Sequence, residues 1–131
     1  MNDKIKPYFS DEKLISVYTR ARAIDDGILV DVSTMAKEAG FRYPVAVTAA
    51  LWADIATIPS AYEGIQDING RLWDVLWMAR QSIRSGNEDA STLFYNLIMH
   101  VGQTKYYTVK LVCGPGDHGE PVLALMRPNE A

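Results

Sequence analysis

The chain of 131 residues is 48% hydrophobic and 22% charged, with a formal net charge of −3, the balance of one globular domain spanning residues 1–131 rather than of a disordered segment. The excess of acid argues against a surface given over to nucleic-acid phosphate, and the single cysteine, Cys113, excludes an intrachain disulfide or a thiolate zinc site. No apolar run approaches the roughly 18 residues of a spanning helix, and the opening MNDKIKP lacks the apolar core of a secretory signal, so the expected compartment is the cytoplasm.

Residues 1–13 are polar, contain Pro7 and read as a loose arm. Residues 15–18 are short and β-branched, the pattern of an edge strand. Thr19 is the expected N-cap of a helix over 20–26 that stops at Gly27. A short strand over 28–32 follows, then a helix capped by Ser33 that runs through Ala39 and ends at Gly40. The next stretch reads two ways. Val45 and Val47 suit a strand with Thr48 capping a helix from Ala49, while Pro44 also suits a first helical position. The preferred reading is a helix over 46–56. Pro59, Ser60 and Gly64 make 57–65 a loop.

Asp67 opens the clearest helix, ending at Gly86, with Ile68, Leu72, Val75, Leu76, Ala79 and Ile83 on one arc and Asp67–Arg71 as an acid-first i,i+4 pair. A polar turn follows. Residues 92–101 alternate, with Leu93, Tyr95, Leu97, Met99 and Val101 on one face and Phe94, Asn96, Ile98 and His100 on the other. A hairpin connection over 102–105, a strand over 106–113, a turn-rich loop over 114–121 and a strand over 122–126 complete the chain. The expected class is α+β: a three-stranded antiparallel C-terminal meander packed against three to four helices, with the short strands at 15–18 and 28–32 available to extend it.

Four groups of residues invite a functional reading. Trp73, Trp77, Arg80 and Arg84 lie on an arc of roughly 60°, away from the aliphatic one. A helix buried on several sides with arginines at its edge accounts for them. So does a partner surface, since Trp and Arg dominate interface hot spots, or an anion-binding arginine pair. Asp117, His118 and Glu120 crowd the 114–121 loop. Turn chemistry explains that composition, and a hydrolytic or metal-assisted site is the sharper alternative. Cys113 with His118 or His100 is a conceivable nucleophile pair, against the commoner role of a buried cysteine. Asp25, Asp26 and Asp31 are a solvated turn or an acidic patch for a basic partner. Arg42, Arg71, Arg80 and Arg84 are the arginines that nucleic-acid binding would use. Dinucleotide fingerprint, P-loop, zincin and nucleophile-elbow motifs are all missing from the sequence.

The stretches YTRARAIDDGILVDVS (18–33), AGFRYPVAVT (39–48), GRLWDVLWM (70–78), CGPGD (113–117) and GEP (119–121) resemble a domain-of-unknown-function family of small bacterial proteins carried on plasmids, phages and integrative elements. The likeness covers residues 15–128. It implies a cytoplasmic accessory protein of mobile DNA, of a kind that regulates or antagonises a host system, and it brings no catalytic residues. The expectation is a non-catalytic, protein-binding module without a cofactor. Its partner is a host or element-encoded protein, and a homodimer is compatible with its apolar helix. Its partner-binding residues are Trp73, Trp77, Arg80 and Arg84, with Asp25, Asp26 and Asp31 as a second patch.

Overall fold

The computed structural model describes residues 18–86 and 90–130. The arm at 1–13 and most of the strand expected at 15–18 lie outside these residues, and so does part of the turn before residue 92. Among the described residues the elements are α1 (Arg20–Asp25), β1 (Leu29–Asp31), α2 (Ser33–Glu38), β2 (Val45–Thr48), α3 (Ala49–Ala56), α4 (Ile68–Ser85), β3 (Thr92–Val101), β4 (Thr104–Pro115) and β5 (Pro121–Met126), with one 3₁₀ turn at Ser60–Tyr62.

The five strands form one mixed sheet in the order β1-β2-β5-β4-β3. β3, β4 and β5 are the antiparallel meander that the alternation predicts. β2 adds to β5 in parallel, and β1 closes that side antiparallel to β2. One face of the sheet, with Val45, Val47, Val109, Leu111, Leu123 and Leu125, joins the apolar faces of α2, α3 and α4 in the main core. The fold is therefore α+β, with two more strands than the meander.

The helix expected over 46–56 is a correction. Its first residues are strand β2, and the helix begins only at Ala49. Val45, Ala46 and Val47 are each 0% exposed. A strand covered on both faces loses the alternation that marks a half-buried one, so an apolar run there imitates a buried helix. Thr48 makes the switch: its backbone is extended, and its hydroxyl accepts from the Leu51 N–H at 3.2 Å. Ser33 is also not a cap. It is the first residue of α2, and the Asp31 carboxylate before it accepts from the Ser33 N–H at 3.0 Å and hydroxyl at 2.6 Å.

Thr19 and Asp67 do cap as expected, accepting from the N–H groups of Arg22 at 3.1 Å and Gly70 at 2.6 Å. In α4, Leu72, Val75, Leu76 and Ala79 are buried, whereas Ile68 in the first turn is exposed. The Asp67–Arg71 pair does not form. Arg71 is only 4% exposed, and its guanidinium donates to the carbonyls of Ile55 at 2.9 Å and Asp54 at 2.8 Å and to the Gln66 side chain at 3.2 Å. Those carbonyls belong to the last turn of α3, where a cation meets both unpaired acceptors and the negative end of the helix dipole. On the opposite flank the Tyr95 hydroxyl donates to the Val75 carbonyl at 2.9 Å, tying β3 to the middle of α4. The hairpin after β3 is tighter than expected: Val101 faces Thr104 across the two residues Gly102 and Gln103.

Candidate partner-binding surface

The Trp/Arg arc of α4 divides in the fold. Trp73 is half-buried and packs against the core, while Trp77 is 45% exposed. Their rings stack at 6.0 Å and 16°, so the inner indole supports the outer one. Arg80 is a bracing residue: its Nε donates to the Gly40 carbonyl at 3.0 Å. Gly40 has φ +103, and a Cβ there would stand 3.1 Å from Arg80 Nε, so its lack of a side chain makes room for the guanidinium. Arg84 is exposed. Of the arginines that nucleic-acid binding would use, Arg71 is buried, Arg80 is engaged on a carbonyl, and Arg42 and Arg84 are exposed.

The other groups have local partners. Both oxygens of Asp117 accept main-chain bonds from the start of α1, from Arg20 N–H at 2.7 Å and Ala21 N–H at 3.1 Å. Those two bonds hold the Asp117 carboxyl below its ordinary range. Glu120 accepts from the His118 N–H at 2.9 Å, and its carboxylate occupies the space a Cβ on Gly116 would need. His118 itself is exposed. The acids are regrouped: Asp31 stands with Asp117 and Glu120 in the field of the Arg20 guanidinium, whereas the Tyr18 hydroxyl donates to Asp26 and Asp25 is exposed. Cys113 is half-buried against the core and bonds through its N–H to Ser91, at the opposite end of β3 from His100. His100 stacks on Tyr62 at 4.4 Å and meets its hydroxyl at 3.2 Å. Among the described residues no group of three or more His, Cys, Asp or Glu is placed to hold a metal ion, and no helix is long and apolar enough to cross a membrane.

What the structure adds is a surface at the edge of the sheet. Asp74, Trp77 and Met78 of α4 and Asn96, Leu97 and Ile98 of β3, with Tyr106 of β4, line an apolar groove of about 460 Å³. Ile98 is 58% exposed and Tyr106 70%. These two are register partners, so they stand side by side on the face away from the core. A second groove of about 370 Å³ shares Asp74 and Ile98 and extends past Trp73 to Ile65 and Gln66. Asp74 thus sits where the apolar groove meets a more polar one, and partial desolvation there pushes its carboxyl up. Of this surface the sequence reading includes Trp73 and Trp77 alone. Asp74, between them, signals itself by its place in an aromatic run, but Ile98 and Tyr106 become part of a site only once β3 is known to be an edge.

A polar knot also escapes the sequence. Arg127 makes a two-pronged pair with Asp54, both contacts at 2.9 Å, and the Tyr107 hydroxyl donates to the same carboxylate. Burial alone would push the Asp54 carboxyl up; the bonds from Arg127 and Tyr107, with the charges of Arg127 and Arg71, outweigh it and hold the group below its ordinary range. Glu130 closes the knot by accepting from Thr48 and from the Arg127 N–H, each at 2.7 Å. Every polar group here meets a partner from α3, β2, β4 or the chain after β5, which makes it a clasp between elements.

No curated protein and no solved structure matches the chain. A family model matches over residues 5–131 and takes in every element that builds the groove: the chain belongs to the family of unknown function DUF6573.

Proposed function

We propose that this protein is a non-catalytic binding module whose partner is another protein, held against the groove between α4 and the β3 edge. The observation that carries the reading is the cluster of Trp77, Met78, Ile98 and Tyr106, large apolar side chains left exposed around one hollow. Scattered exposed apolar residues are ordinary, but contiguous ones rimmed by polar groups mark interaction surfaces. An indole braced by a second indole is the kind of rigid anchor that dominates interface energies. The setting we infer, a cytoplasmic accessory protein of a mobile element that regulates or antagonises a host system, rests on the sequence resemblance described above and not on the groove.

The test is affinity capture from host lysate with the wild type, Trp77→Ala and Ile98→Ser in parallel, each variant first shown to keep the wild-type circular dichroism and a cooperative thermal transition above the capture temperature. The expected result is one protein held by the wild type and lost by both folded variants. Equal recovery by all three removes the groove from the binding surface.

A further inference from the structure

The hydrogen-bond parity of the sheet fixes what β3 presents on its outer side. The Cys113 N–H donates to the Ser91 carbonyl at 2.8 Å, and these two residues face each other in the register that pairs Thr92 with Val112. Directly opposed residues in an antiparallel ladder alternate between pairs that exchange both bonds and pairs that exchange none. The odd-numbered residues of β3 up to Leu97 therefore bond to β4. The far side of β4 agrees: the Gly116 N–H donates to the Glu120 carbonyl at 2.6 Å, in register with Gly114 facing Val122, which turns the even-numbered residues of β4 toward β5. Phe94, Asn96 and Ile98 consequently direct their N–H and C=O groups out of the sheet, on a side where the strand order places no described strand.

Edge strands of monomeric proteins are ordinarily blunted by charges, proline or brevity. β3 is ten residues long, and its sequence, TLFYNLIMHV, holds no proline and no Asp, Glu, Lys or Arg. Apolar side chains flank the open edge on both sides, Trp77 and Met78 from α4 and Ile98 and Tyr106 from the outer face. The charged group in this groove is Asp74, and no described Lys or Arg lies within ion-pair distance of it. A second copy of this chain pairing through β3 would bring a strand with no cation to meet Asp74, together with another Asp74.

We propose that the open edge of β3 takes up an extended peptide as a further strand, one with apolar side chains at alternate positions and a lysine or arginine set against Asp74. Main-chain bonds to Phe94, Asn96 and Ile98 supply affinity, the groove walls select the apolar positions, and Asp74 fixes the register. The proposal rests on the protein-binding reading above and names the form its partner takes.

The probe is a display library of random 12-residue peptides, selected on the immobilised full chain and counter-selected on Ile98→Ser. Enriched peptides are expected to share apolar residues at i, i+2 and i+4 with a Lys or Arg at a fixed offset. A synthetic consensus peptide should bind Asp74→Asn roughly three- to tenfold more weakly and lose its preference for the basic residue. N-methylation of alternate peptide nitrogens should abolish binding in one parity and leave it nearly intact in the other. Enrichment at i, i+3, i+4 spacing, or N-methyl effects without parity, overturns strand addition while leaving a protein-binding groove in place. No peptide that separates wild type from Ile98→Ser overturns the proposal as well. A concentration-dependent dimer in sedimentation, lost in Ile98→Ser, assigns the edge to a second copy instead. The lysate capture fails or succeeds independently of these outcomes.

Discussion

Asp54 stands where α3, β4 and the segment after β5 converge, and its charge holds them together. It takes two bonds from Arg127 and one from Tyr107. Its side chain is 15% exposed, but that of Arg127 is 40% exposed, so solvent screens the pair from one side. Asp54→Asn keeps the shape and loses the charge, and should cost about 1–2 kcal/mol at neutral pH, read from urea unfolding. The pH dependence follows from the direction of the shift. A carboxyl held low in the folded state contributes stability above its unfolded value of about 3.9, and that contribution is lost as pH falls through the lower folded value. The difference between wild type and Asp54→Asn should therefore be full at pH 7 and shrink below about pH 4. A difference that stays constant down to pH 3 assigns the effect to packing.

At the scale of elements, Thr48 joins a strand to a helix without an intervening loop. Its hydroxyl accepts from Leu51 N–H, and it donates to Glu130 at 2.7 Å. Thr48→Ala should destabilise the fold by about 1–2 kcal/mol, and Thr48→Ser should restore most of it, by denaturant titration. This junction is also where sequence reading fails most plainly. α4 and the β3–β5 meander are legible because each has one buried face and so a period, 3.6 or 2 residues, written into its apolar positions. β2 has no such period, because both of its faces are covered: Val45 and Val47 on one side and Ala46 on the other are all fully buried. Arg71 misleads for a related reason. On a helical wheel it pairs with Asp67, but the end of α3 comes close enough to offer two carbonyls, and that neighbour is set by tertiary packing alone.

At the scale of the molecule, the edge of the sheet at β3, which no described strand covers, and the apolar groove coincide. The sequence shows Phe94, Asn96 and Ile98 on the outward face of their strand and Trp77 off the main arc of its helix. It does not show that these meet, since strand order decides which strand is an edge. Ile98 is more than half exposed, so Ile98→Ser should cost about 1 kcal/mol or less in stability. The same change should measurably reduce binding of the apolar dye ANS to the native protein. A large loss of stability with unchanged dye binding would place Ile98 in the core and close the groove.

The parallel pairing of β2 with β5 sets a timetable for folding. Val45 lies beside Leu123, more than half the chain away. Contacts of that span wait on loop closure, whereas β3, β4 and the helix before them are sequence neighbours and pair early. β1, β2 and the helices around them have no sheet to join until β5 has been laid against β4. Assembly is thus expected to run from the C-terminal meander back toward the N-terminal strands, against the direction in which the chain is made. For that interval the run Val45-Ala46-Val47, apolar at every position, is open to other nascent chains.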